Sequence, residues 1–142
     1  MRGRPEFPRT AEFESREPVS LVRYFLSALN RRDLAEFPDM IGPECRFEDP
    51  FAGAVTGLEA VRALWERRFT ECPDFVVETE ALLREGEQVA LFGRMRGSFE
   101  KAGFPGERQA RSLRFAVLVD IRDDQIVRWR CYTEAGEPPG PI

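Results

Sequence analysis

Of the 142 residues none is histidine, so any chemistry must fall to carboxylates, tyrosine, cysteine and arginine. Ser-His-Asp triads, Cys-His dyads and His-ligated metal sites are excluded for this chain on its own. The cysteines, Cys45, Cys72 and Cys131, are scattered and odd in number, with no CxxC pair. That pattern suits buried thiols in a reducing compartment rather than a disulfide framework. Among the carboxylates, Asp49 in the segment Phe47-Glu48-Asp49-Pro50 stands out. Strand alternation turns it inward with Phe47 and turns Glu48 outward. An Asp before Pro also terminates strands and caps turns without any catalytic role. Tyr24 lies at the edge of a helical apolar face, where a ring can pack in the core and its hydroxyl can reach water.

The elements that must position these residues follow from periodicity. Pro18 suits the first turn of a helix. Val19, Val22, Phe25, Leu26 and Leu29 then form one apolar face, opposite Ser20, Arg23 and Ser27. A short second helix is expected over 33–41, interrupted by Pro38 and ended by Gly42-Pro43. A brief strand over 45–49 and an irregular stretch over 50–57 come next. Thr56 and Glu59 read as a capping box opening a third helix, in which Val61, Leu64, Trp65 and Phe69 recur at helical spacing. After Pro73 the period changes to two. Strands are expected at 75–84, 88–99, 110–121 and 125–133. Their inner faces carry Val89, Leu91, Met95 and Phe99; Leu113, Phe115, Val117, Val119 and Ile121; and Val127, Trp129 and Cys131. Glu78, Glu80, Arg94, Arg96, Arg114, Arg128 and Arg130 fall on the outer faces, as a lattice of cross-strand charge pairs would. The fold class is α+β: a cone of three N-terminal helices packed on a curved, mainly antiparallel sheet. One domain spans 17–133, between tails at 1–16 and 134–142 that are rich in charge and proline.

Composition narrows the partners. The 42% hydrophobic content and 12 Phe supply a core with apolar material left over for a pocket. Phe47, Trp65, Phe69, Met95, Phe115, Val117, Trp129 and Cys131 are its expected lining. A net charge of -4 disfavours nucleic acid, although all but one of the 21 basic residues are arginine. No apolar run reaches the roughly 20 residues of a membrane span. The opening MRGRPEFPRT has charges and two prolines where an export signal would be apolar. A cytoplasmic protein is therefore expected. Neither GxGxxG, a P-loop nor a metal-ligand cluster is present, so no cofactor or metal is implied. Ala90, Phe92, Leu118 and Tyr132 among the outer arginines suggest a homodimer through that face.

Four segments carry a family resemblance. VRYFLSALNRRDL (22–34), CRFEDPFAG (45–53), TGLEAVRALWERRF (56–69) and DDQIVRWRCY (123–132) resemble successive blocks of the ketosteroid isomerase and SnoaL-like polyketide cyclase group. That group belongs to the nuclear-transport-factor-like superfamily, and the resemblance spans residues 18–133. It implies a cone fold around a small apolar ligand, and pairing through the outer sheet face. It also implies Asp49 as a proton-shuttling base and Tyr24 as hydrogen-bond donor to a substrate carbonyl. Enolisation needs a carboxylate near the carbon acid and donors aimed at the oxygen where charge develops. A wall of apolar side chains would desolvate the base and sharpen it.

The isomerases' second donor, a protonated acid on a sheet strand, corresponds to Val117 or a neighbour, and Phe115, Val117 and Val119 cannot donate. Asp120 is turned outward by alternation. Limonene epoxide hydrolases are similar in the WRCY block; Arg94 matches their Arg, while Arg96 and Cys131 stand where their acids would be. Met95 stands where SnoaL-like cyclases carry a sheet histidine. These departures leave two functional classes open: an enolising isomerase or cyclase, and a non-catalytic ligand-binding or accessory module that homodimerises.

Overall fold

The computed structural model describes residues 17–100 and 103–133. The tails expected at 1–16 and 134–142 lie outside the described residues. Helix α1 spans Pro18–Asn30, a 3-10 turn Leu34–Glu36, and helix α2 Phe37–Met40. Strands β1 (Ile41–Asp49) and β2 (Gly53–Thr56) precede helix α3 (Leu58–Glu71). Strands β3 (Val76–Glu85), β4 (Gln88–Glu100), β5 (Arg108–Arg122) and β6 (Gln125–Thr133) complete the fold. They form one six-stranded sheet in the order β2-β1-β6-β5-β4-β3. Every neighbouring pair is antiparallel except β1 with β6, which run parallel. The α+β class, with three helices on a mainly antiparallel sheet, is as the sequence predicts.

On α1, Leu21, Val22, Phe25, Leu26, Ala28 and Leu29 are buried, while Ser20, Arg23 and Ser27 face solvent. Its end is tied to the sheet by Asn30, which donates to Val77 O and accepts from Val77 N, both at 2.9 Å. Single side-chain bonds of this kind contribute about 1 kcal/mol.

Four local expectations are corrected. The helix expected over 33–41 is split, because Pro38 can sit only in a first turn and so starts α2 instead of continuing the 3-10 turn. Strand β1 begins at Ile41 and runs through Gly42-Pro43, and its pairing with β6 shifts register between Ile41 and Arg46. That irregularity accommodates a residue with no N–H to donate. The stretch after Asp49 is not irregular throughout: Gly53–Thr56 pairs with β1, Thr56 opposite Arg46. Thr56 is thereby held extended and does not cap. Gly57 takes the N-cap position of α3 at φ 102°, with no side-chain cap bond.

Alternation sorts the long strands well. Val89, Leu91, Met95, Phe115, Val117, Val119, Ile121 and Trp129 are buried in one core. A register shift between Asp120 and Ile121 pairs Ile121 with Ile126, so Ile126 is buried and Val127 is only half-buried, reversing the expected parity there. Gly93 is required by close approach: a Cβ at that position would lie 2.0 Å from the carbonyl oxygen of Glu78. The two-residue turn from β5 to β6 places Asp123 and Asp124 at φ 54° and 63°, as a hairpin of this length demands.

Candidate functional site

Asp49 is the last residue of β1, and its side chain is 9% exposed. The chain turns at Pro50 so that the N–H groups of Phe51 and Ala52 donate to Asp49 Oδ2, at 2.9 and 2.7 Å. The turn-capping role that Asp before Pro suggests is thus present. A third donor reaches the same oxygen from another element. Arg68 Nη2 on α3 lies 2.8 Å from Asp49 Oδ2. Three donors thus converge on one oxygen, and the bond from Arg68 is charge-assisted. All of these bonds end on Oδ2; among the described residues Oδ1 receives none.

Arg68 stands outside the helical face expected through Val61, Leu64, Trp65 and Phe69, and the structure buries it. Val61, Leu64, Trp65 and Arg68 follow at helical spacing and are the buried residues of α3. A basic residue at the fourth position of such a face is the signal that sequence reading passed over. Its guanidinium carbon lies 5.1 Å from the ring centre of Phe51, 5.3 Å from Trp65 and 5.5 Å from Phe75. A planar cation enclosed by aromatic rings gains from their quadrupoles and is held in one orientation. Trp65, Phe69 and Phe75 in turn pack on one another at 5.8–6.2 Å between centroids. Arg32 lies over Phe69 at 4.3 Å.

Cys131 joins this group through the sheet. In the parallel pair, Phe47 is opposite Trp129 and Glu48 opposite Arg130, so the register carries Asp49 toward Cys131. Burial first, then the negative charge of Asp49, push the Cys131 thiol up to about 12 against the opposing charge of Arg68. Cys131 is therefore a neutral thiol near the ion pair. Cys45, held at about 12 by burial alone, is equally inert. All three cysteines are free thiols.

The other expected site residues divide into two groups. Phe47 and Trp129 stack at 5.2 Å and 4°, with Phe25 packed edge-on against both, and so belong to the densely filled core. Met95, Phe115 and Val117 are also buried there. Trp65 and Cys131 are the ones beside the Arg68–Asp49 pair, and Phe69 packs on Trp65. Tyr24 is partly buried against the core on α1. Two cavities lined by described residues have neither Asp49 nor Tyr24 in their walls. One is a polar groove of about 700 Å³ between the start of β1 and the hairpin turns, bounded by Glu44, Gln88, Asp120 and Arg128. The other, of about 70 Å³, lies beside Pro18, Leu21 and Arg84. Among the described residues no group of three or more His, Cys, Asp or Glu is placed to hold a metal, and no helix is long and apolar enough to cross a membrane.

The outer face of the sheet carries the expected charge lattice. Arg96 pairs with Glu78 at 2.8 Å, Arg94 with Glu80 at 3.5 Å and Arg130 with Asp120 at 3.5 Å. Arg128 donates to Glu48 at 2.8 Å, which together with Arg46 holds that carboxyl below its usual range. Across four strands in register, Ala81, Phe92, Ala116 and Tyr132 make an apolar row within this lattice.

No curated protein matches this chain. Solved structures do. Wild-type IdmH of Streptomyces antibioticus superposes with a TM-score of 0.73 at 19% identity, covering 84% of this chain and 93% of that one. A SnoaL-like polyketide cyclase of Agrobacterium tumefaciens gives 0.71 at 17% identity, covering 85% and 94%. A protein of Catenulispora acidiphila with a ketosteroid isomerase-like fold, in complex with trimethylamine, gives 0.69 at 17% identity, covering 79% and 83%. At such identities the likeness establishes the fold alone. The model of the SnoaL-like domain matches residues 22–129, which is most of the chain, and the protein belongs to that family.

Proposed function

We propose that this protein binds a small apolar carbonyl compound and moves a proton on it, as an enolising isomerase or cyclase, with Asp49 as the base and Tyr24 as a donor to the carbonyl. The observation that carries this reading is the state of Asp49. It is buried and ionically paired, and Oδ2 is pinned by three donors while Oδ1 receives none among the described residues. A carboxylate fixed by one oxygen presents the other in a constant direction, which is what a positioned general base requires. General base catalysis contributes about 100- to 10,000-fold. Asp49→Asn should remove a factor in that range from turnover of a β,γ-unsaturated or otherwise acidic ketone, followed by loss of its absorbance. Tyr24→Phe should cost less, since water can replace the hydroxyl. A variant Asp49→Asn that turns over at the parent rate ends the reading.

A second reading is favoured by a separate observation: Phe115, Val117 and Val119 are buried and apolar, so the sheet offers no second donor there. On that reading the same site binds without turnover, in an accessory module. Both readings place the protein in the cytoplasm as a homodimer. The free thiols support the compartment. The exposure of Leu83, Phe92 and Tyr132, at 62%, 40% and 56%, supports pairing of two copies through the outer sheet face. Light scattering that gives a monomer mass at high micromolar concentration rejects the dimer.

A further inference from the structure

Two buried donors, one on Arg68 itself and one on the Trp65 ring beside it, have no hydrogen-bond partner among the described residues: Trp65 Nε1 and Arg68 Nη1. An unmade bond at a buried donor is costly, and most such groups in folded proteins are satisfied. Trp65 and Arg68 are 4% and 9% exposed. Arg62 and Arg130 each have an orphan Nε, but their side chains are 26% and 23% exposed. Trp65 and Arg68 differ in having no such outlet to solvent. Both donors lie on one helix face, with the guanidinium carbon 5.3 Å from the Trp65 ring centre.

We propose that Trp65 Nε1 and Arg68 Nη1 are further hydrogen-bond donors for the ligand's oxygen, beside Tyr24, and that the ligand is a neutral carbonyl compound with an acidic C–H. This rests on Asp49 being the base. The charge balance of the site selects that class. With no ligand the Arg68 cation and the Asp49 anion cancel. A neutral carbonyl compound preserves that balance and an anionic one disturbs it. During reaction the C–H bond breaks, its proton forms an O–H bond on Asp49, and the electron pair moves to the carbonyl oxygen as an enolate. The negative charge thus passes from one side of Arg68 to the other, Nη2 holding the base and Nη1 receiving the oxyanion. The guanidinium stays the counter-ion throughout, and helix α3 supplies the donors that the sheet lacks at Val117. Preorganised donors of this kind are worth about 100- to 1000-fold in rate each.

The test uses p-nitrophenol, whose phenolate mimics an enolate oxygen and is read by its visible absorbance. Asp49→Asn stands in for the protonated base and leaves Arg68 uncompensated, so it should bind the phenolate more tightly than the parent protein. The Trp65 indole N–H resonance, identified by its loss in Trp65→Phe, should move downfield on binding. In the Asp49→Asn background, Trp65→Phe and Arg68→Lys should each weaken binding by about tenfold or more, the scale of a hydrogen bond to a charged acceptor. Binding that leaves the indole resonance unmoved, with affinity unchanged by either substitution, overturns the donor assignment. So does the absence of saturable binding at millimolar phenolate. Ketone turnover that is lost in Asp49→Asn yet untouched in Trp65→Phe would leave Asp49 as base and refute the donor pair alone.

Discussion

The Arg68–Asp49 and Arg96–Glu78 pairs have the same N···O distance, 2.8 Å, and sit in opposite environments. In the first the side chains are 10% and 9% exposed; in the second, 52% and 48%. Distance therefore says little about what each pair does. On the sheet, water and salt screen the charges, and each ion is nearly as content alone. At the end of β1 both ions have left water, so each depends on the other and on the remaining donors around it. The lattice is replaceable detail on a solvated face. The buried pair is a committed arrangement, and around it lie the turn amides, the aromatic rings and the unfilled donors.

Removing one partner of each pair tests that contrast directly. Arg68→Met should cost about 3–5 kcal/mol in urea unfolding, because it strands a buried carboxylate. Adding Asp49→Asn should restore part of that loss. A cost below about 1 kcal/mol for Arg68→Met would make the buried pair no different from the lattice.

Asp74 sharpens the comparison as an intermediate case, an exposed carboxylate stabilised by neutral donors. It accepts from Ser98 N at 3.0 Å and Ser98 Oγ at 2.8 Å. The Ser98 backbone bond first, then its hydroxyl, lower the Asp74 value from 3.8 to about 2. A lowered folded-state value means stability that is fully present above about 3.8 and lost as pH falls through about 2. Asp74→Asn should flatten that part of the acid limb in a pH series of unfolding curves, and Ser98→Ala should flatten it less. An acid limb unchanged by Asp74→Asn would refute the linkage.

The smallest effect is expected on the sheet. Glu78→Gln should change stability by about 0.2–1 kcal/mol, and by less in high salt. A larger, salt-independent loss would mean that this face is covered in solution, and would itself argue for pairing of two copies there.

Much of this was legible from spacing alone. The change of period after Pro73, the inward side of β4 and β5, the exposed face of α1 and the inward turn of Asp49 are all local patterns of two or 3.6 residues. Each is fixed by the geometry of one element against one apolar layer. The absence of histidine by itself excludes His-based triads, dyads and metal sites from this chain. What the sequence left undecided involves residues far apart in the chain. Nothing local says that Arg68, 19 positions beyond Asp49, should be its partner, or that Cys131 should sense both charges. The packing of α3 on β1 brings Arg68 to Asp49, the parallel pairing of β1 with β6 brings Cys131 there, and a shift of register at Asp120 and Ile121 moves Ile126 inward in place of Val127. Long-range register answers to the packing of the whole core, so an arginine that a helical wheel marks only as misplaced finds its charge partner in the tertiary structure.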